Sequence, residues 1–132
     1  VLQVRDDVEN VSDRLGARGK DFGSDIIEGK PTLLLGHVLG AASAAEREEL
    51  VALIGPRADP ATAGTDAQRI DRVVALMEHY GSVDYACAFA DGLAGGALAE
   101  FDAAMGWLPP SDDKDFVRSL VLFLRDPLIR GR

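Results

Sequence analysis

The chain has 132 residues, 47% of them hydrophobic, a formal net charge of −8 and one cysteine. That is one domain's worth of polypeptide with enough apolar content for a core. Its charge argues against nucleic acid or an anionic membrane surface as the main partner, because both need a positive field.

The first predicted element is a helix over residues 1 to about 12, and it carries two stripes. Val1, Val4, Val8 and Val11 form the apolar one, suited to docking on a bundle. Gln3, Asp6, Asp7 and Asn10 follow the same i, i+3, i+4, i+7 spacing on a separate face. Adjacent carboxylates with an amide oxygen one turn on suit a hard cation such as Mg²⁺, which prefers oxygen and keeps several waters. A solvated acidic face is the plain alternative for a bare Asp-Asp pair. The next twenty residues weigh against it. They form a long polar loop with Gly16, Gly19, Gly23 and Gly29, and with Lys20 and Lys30 each beside a glycine. Lysine can meet a phosphate as a mobile point charge, and glycine lets backbone turn tightly or approach a ligand. Metal-holding carboxylates followed by such lysines make a site for a diphosphate–Mg²⁺ complex.

A helical turn is expected around Ser24 to Glu28. Pro31 suits the first turn of the next helix, through Leu33, Leu34, His37, Val38 and Ala41. A short helix over Ala45 to Ile54 buries Leu50, Leu53 and Ile54, and Gly55-Pro56 ends it. Thr65 or Asp66 caps a helix with Ile70, Val73, Val74, Met77 and Tyr80 on its packed face, closed by Gly81. Ser82 caps a long helix from Val83 to about Met105, rich in Ala and Gly. Cys87 lies in it and reads as a buried structural thiol; with no second cysteine, a disulfide within the chain is excluded and a reducing cytoplasm fits. Gly92 and Gly96 do not make a membrane pair, because Asp91, Glu100 and Asp102 flank them. No apolar run reaches the roughly 20 residues of a membrane span, and no signal-like pattern opens the chain.

Trp107-Leu108-Pro109-Pro110 reads as a turn. Ser111 caps a last helix with Phe116, Leu120 and Phe123 inward, stopped at Pro127. Asp112, Asp113 and Asp115 open that helix, where acids favour the positive end of the dipole, so they are not read as a second metal motif. His37 and His79 lack ligand-spaced partners and read as helix-face histidines. Arg130 and Arg132 read as a solvated tail rather than a phosphate clamp. With no β-alternation and no repeat, the fold expected is an all-α helical bundle of one domain.

The segment from Leu2 to Leu35 resembles the second aspartate-rich region of the trans-isoprenyl (polyprenyl) diphosphate synthases. Their pattern reads Phe-Gln-x-x-Asp-Asp-x-x-Asp, then Gly-Lys, then Gly-(Ser/Thr)-Asp-x-x-x-(Gly/Asn)-Lys and a Thr-Leu run. Gln3, Asp6, Asp7, Gly19, Lys20, Gly23, Ser24, Asp25, Gly29, Lys30 and Thr32 fall on it in order. Leu2 replaces the usual Phe and Asn10 the last Asp, a variant that also occurs in the family. The likeness covers about a quarter of the chain; the rest agrees only as a helical tail of suitable length.

The resemblance implies the isoprenoid synthase fold and a Mg²⁺-dependent condensation of isopentenyl diphosphate with an allylic diphosphate. It implies that Asp6 ligates the metal, with Asp7 and Asn10 supporting directly or through water. Lys20 and Lys30 would hold the allylic diphosphate, Asp25 would orient a lysine or a metal-bound water, and Gln3 would hydrogen-bond near the allylic cation or the metal waters. A homodimer is implied for the intact enzyme. The family's first aspartate-rich motif is absent from these residues, and the chain opens inside the motif helix without a cap. The chain is therefore expected to be the C-terminal part of a longer protein, inactive in coupling by itself. A non-catalytic partner subunit and a terpene cyclase of the same fold are the alternatives.

Overall fold

Short amphipathic segments separated by Gly, Pro and Ser/Thr caps fold here into helices and, among the described residues, into no other regular element. A computed structural model describes residues 1–11, 22–56, 58–59 and 63–130, with 124–130 by backbone alone. The helices are α1 (Leu2–Val11), α2 (Ser24–Glu28), α3 (Leu33–Ala41), α4 (Ala44–Leu53), α5 (Asp66–His79), α6 (Ser82–Met105) and α7 (Asp112–Arg130). The expected all-α bundle is what forms. None of the described helices is long and apolar enough to cross a membrane.

Caps fix most of the boundaries. Thr32 accepts from the Leu35 amide at 3.2 Å and starts α3, so Pro31 stands before the cap and not in the first turn. Ser43 and Glu46 form a reciprocal capping box at α4, and Thr65 and Gln68 form another at α5. Ser82 does not cap α6 as expected. Gly81, in the left-handed region at φ 67°, takes that place, while Tyr80 is the C-cap of α5. The Ser82 hydroxyl is buried and lies 3.0 Å from His37 Nδ1, whose ring stacks on Tyr85 at 4.2 Å. His37 thus acts as a packing residue between α3 and α6.

The core joins α1 to α6. Val8 and Val11 meet Ile26, Leu34 and Val38, with Leu50 and Leu53 of α4, Val73 and Met77 of α5, and Ala86, Cys87 and Ala90 of α6. Cys87 is buried, as its Ala-rich surroundings imply. α6 is the spine of this arrangement, packing on α1, α3, α5 and α7.

The inward placement of Phe116, Leu120 and Phe123 is overturned: they are 62%, 44% and 66% exposed. α7 packs chiefly on α6, and polar contacts decide which side it turns there. Arg118 forks onto both oxygens of Asp102 at 3.1 and 3.2 Å, and Lys114 Nζ donates to the Leu108 carbonyl at 3.0 Å. The apolar row is left facing out. Nor does Pro127 stop the helix, which continues to Arg130; a proline deletes one amide donor without ending the run. Arg132 and the Arg130 side chain lie outside the described residues.

Arg69 is the buried charge that the apolar pattern does not announce. It is 6% exposed, and its guanidinium donates to the Leu53 carbonyl at 2.8 Å, to the Gly55 carbonyl, and to Asp66 at 2.8 Å. The fork thereby satisfies carbonyls at the end of α4 and ties them to α5. Arg69→Met should lower unfolding free energy by about 3 kcal/mol, two hydrogen bonds to a charged group at about 1.5 kcal/mol each. Urea melts would measure it, and a loss under about 1 kcal/mol would demote this staple.

Gly23 has φ +71°, and a Cβ there would sit 2.5 Å from Ile70 Cγ2. Gly36, inside α3, has open space around it. Opposite signs follow. Gly23→Ala should destabilise by about 1–3 kcal/mol through left-handed strain and the clash. Gly36→Ala should stabilise by about 0.5–1 kcal/mol as a helix-interior replacement. Equal effects of the two substitutions in a denaturant melt would contradict the assignment.

Candidate functional site

The polar stripe of α1 runs from solvent into a junction of three elements. Gln3 and Asp6 are exposed, whereas Asp7 and Asn10 are partly buried where α1 meets α2 and α3. α2 is a single helical turn bracketed by Gly23 and Gly29, both left-handed at φ 71° and 69°. Glycine is required at each for a stated reason: Gly23 presses on Ile70, and a Cβ on Gly29 would lie 3.0 Å from Gly55 Cα. The Gly55 amide also donates to the Ile26 carbonyl at 2.9 Å. Gly23 and Gly29 therefore pack the turn into the bundle.

That turn faces α1 through Asn10. The Gly23 amide donates to the Asn10 backbone carbonyl at 2.8 Å, Asn10 Nδ2 donates to Ser24 Oγ at 3.1 Å, and the Asp25 amide donates to Asn10 Oδ1 at 3.3 Å. Asp25 is 9% exposed and accepts Lys30 Nζ at 2.7 Å, while the Lys30 amide donates to the Asp25 carbonyl at 2.9 Å. Glu28 is a second partner of the same ammonium at 3.1 Å. The Lys30 side chain stays 52% exposed, so its charge can still meet a ligand from solvent.

Asp7 carries the electrostatic signature of the site. Burial first, then the carboxylates of Asp25 and Asp6, push its pKa above the usual carboxylate range. The Leu33 amide, at the start of α3, and the Lys30 ammonium act in the opposite direction without prevailing. Hydrogen bonds from Lys30 to Asp25 and Glu28 hold the Lys30 pKa above its ordinary value, so it remains an ammonium at neutral pH. The structure thus gathers Asp6, Asp7, Asp25 and Lys30 around the start of α3, with Gln3 one turn away on the exposed side and Asn10 at the inner edge. Lys20, with Gly16, Arg18 and Gly19, lies outside the described residues.

No group of three His, Cys, Asp or Glu side chains arranged to hold a metal occurs among the described residues. His79 meets Tyr80 edge-on at 4.8 Å and is no exception. The carboxylates at α1 offer a partial shell, which is the coordination a phosphate-bound Mg²⁺ uses when waters and phosphate oxygens complete it. Their repulsion at Asp7, offset only in part by Lys30 and the Leu33 amide, is of the kind a divalent cation relieves. The donor set and its charge fit such an ion.

The carboxylates and Lys30 were singled out in the sequence, and Ser24 was noted only as a motif residue; the contacts of Leu33, Ser24 and Gly55 at this junction were not foreseen. Leu33 contributes only an amide, and Ser24 is an acceptor whose partner lies on another helix. Gly55 sits far down the chain from the motif it supports. A helix N-cap at Thr32 was the available signal for an anion-seeking amide nearby.

The family model described as polyprenyl synthetase matches residues 1–75. The chain is 34% identical over 89 residues to a short chain isoprenyl diphosphate synthase of Methanothermobacter thermautotrophicus, covering 67% of this chain and 25% of that protein. It is 38% identical over 85 residues to an octaprenyl diphosphate synthase of Haemophilus influenzae, covering 64% and 24%. A Rhodobacter capsulatus all-trans-nonaprenyl-diphosphate synthase (geranyl-diphosphate specific) is 30% identical over 84 residues, covering 64% and 23%. The matched stretch spans about a quarter of each relative's length. No solved structure shows a significant match. With a family model covering more than half of it, and with Gly23, Gly29, the motif carboxylates and Lys30 folded into one junction, this chain belongs to the polyprenyl synthetase family.

Proposed function

We propose that this chain is the portion of a Mg²⁺-dependent trans-prenyltransferase that carries the second aspartate-rich motif, in an enzyme condensing isopentenyl diphosphate with an allylic diphosphate. The observation that carries the reading is the cluster at the start of α3: Asp7, raised in pKa by burial and by Asp25 and Asp6, beside the Lys30 ammonium. A site with crowded carboxylates on one side and a solvent-facing ammonium on the other suits a cation and a diphosphate bound together. The relatives' own names say that they are prenyl diphosphate synthases, which supports the same substrate class.

In this proposal Asp6 and Asp7 hold Mg²⁺, which when bound supplies Lewis acidity toward the diphosphate oxygens. Lys30 meets those oxygens directly, and Lys20 is proposed for the same role. Their charges act where negative charge grows as the allylic C–O bond breaks and diphosphate leaves. The π bond of isopentenyl diphosphate then attacks the allylic carbon, and the adduct loses a proton to restore an alkene. Asp25 holds Lys30 in place through the 2.7 Å ion pair. Gln3, exposed one turn before Asp6, is proposed to hydrogen-bond near the allylic cation or the metal-bound waters. The proposed setting is the intact enzyme, as a homodimer, with the first aspartate-rich motif present. Coupling activity is not expected from this chain alone.

The test is binding and turnover. Mg²⁺ with inorganic pyrophosphate should raise the melting temperature of this chain, and Asp6→Ala should abolish the shift. In an intact enzyme carrying this stretch, Asp6→Ala should lower kcat by about a hundredfold or more, the scale of one lost electrostatic contribution to the transition state. No thermal shift in the parent chain, or a less than tenfold kcat loss, would count against the proposal.

Asp7 gives a pH-dependent test. Its folded-state pKa is raised, so its contribution to stability is present below the unfolded carboxylate value and is lost as pH rises through the folded one. Without metal at pH 7, Asp7→Asn should therefore melt no lower than the parent, because the amide keeps an acceptor for Leu33 and drops the repulsion. The difference should vanish as both are taken into acid. With Mg²⁺ and pyrophosphate the order should reverse. A metal-free variant that melts well below the parent at pH 7 would show that the charge is compensated in the fold.

A further inference from the structure

We infer that Asn10 is a positioning residue, a two-ended amide latch that sets the Asp25–Lys30 pair against Asp7, and not a direct ligand of the cation. The inference rests on the diphosphate–Mg²⁺ reading of the same site. Its ground is the direction of the amide's bonds. Nδ2 donates to Ser24 Oγ at 3.1 Å, and Oδ1 accepts from the Asp25 amide at 3.3 Å, so the oxygen that would face a metal is turned toward α2. A third bond, from the Gly23 amide to the Asn10 carbonyl at 2.8 Å, fixes the same turn from the backbone. Asp25 sits at the first turn of α2, and its side chain ends 2.7 Å from Lys30 Nζ. Loosening Asn10 therefore moves the residue that aims the lysine, while Asp6 and Asp7 keep their places on α1.

The chemistry at this position explains an amide. A neutral amide, able to donate and accept at once, joins Ser24 and Asp25 without adding charge to a junction that already holds Asp6, Asp7 and Asp25. A carboxylate could still accept from both partners once the Ser24 hydroxyl turns to donate. Asn10→Asp should therefore preserve the latch, and Asn10→Ala should open it.

The latch predicts a split that a metal ligand would not produce. In this chain, Mn²⁺ binding followed by its paramagnetic resonance signal should be unchanged within about twofold in Asn10→Ala, whereas affinity for Mg²⁺–pyrophosphate by calorimetry should fall roughly tenfold, the scale of two neutral hydrogen bonds. Asn10→Asp should recover most of that loss. Ser24→Ala, which removes one partner only, should show a smaller loss of the same kind. In an Asn10→Ala background, Lys30→Ala should cost much less than it does in the parent, because the lysine is already misaimed. Independently of any ligand, amide hydrogen exchange at Asp25 should accelerate in Asn10→Ala. The latch is overturned if Asn10→Ala weakens Mn²⁺ alone as much as it weakens Mg²⁺–pyrophosphate, or if Asp25 exchange is unchanged. A parent chain that binds no pyrophosphate while Asp25 exchange still responds to Asn10→Ala would refute the diphosphate reading and retain the latch's structural half. If Asn10→Ala fails to fold, Ser24→Ala carries the same comparison.

Discussion

Two left-handed glycines decide where the charges of this protein meet. Gly23 and Gly29 bracket a single helical turn and let its backbone lie against Ile70 on one side and Gly55 on the other. With the turn seated there, Asp25 is buried and Lys30 is drawn back across it, and both end beside α1. Any residue with a Cβ at Gly23 would push the turn off Ile70 and move the ammonium with it. The aspartate pair on α1 is ordinary in a helix; its neighbours make it a site.

Charge at this junction is arranged out of balance. Burial first, then the carboxylates of Asp25 and Asp6, raise the Asp7 pKa, and the Leu33 amide and the Lys30 ammonium do not offset them. An exposed ion pair such as Arg72 with Glu49, which links α4 and α5 at 2.6 and 2.7 Å, is locally neutral and needs no outside ion. The contrast separates charges matched in packing from charges crowded together, and it follows from geometry, since both regions contain the same residue types.

Much of the architecture can be read from the residues because spacing and caps act locally. The Thr65 cap, the Ser24–Glu28 turn and the apolar rows of α1 and α5 depend on residues within a few positions of one another. The failures share a different cause. Phe116, Leu120 and Phe123 make as good an apolar row as Ile70, Val73 and Met77, but the sequence does not say which helix waits opposite. Ser82 satisfies every local rule for a cap, and a distant histidine claims its hydroxyl instead. At the junction, the adjacent aspartates of α1 and the Gly29-Lys30 pair were legible as a motif, while the Gly19-Lys20 pair lies outside the described residues. The Ser24–Asn10 bond and the Leu33 amide were not, because they join residues brought together only by packing of α1, α2 and α3.

The contact between Gly29 and Gly55 links this corner to the far side of the bundle. Gly55 donates its amide to Ile26, gives its carbonyl to Arg69, and has its Cα where a Cβ on Gly29 would press, so one residue is held by both the motif turn and α5. Lys30 follows Gly29 directly, and its backbone cannot shift without dragging that whole chain of contacts. The flexible Lys30 stem therefore rises from a backbone tied into packing, with its ammonium open to solvent. In the diphosphate site proposed above, side-chain length at position 30 would set how far the charge reaches, so a shorter stem would fall short even with the fold intact.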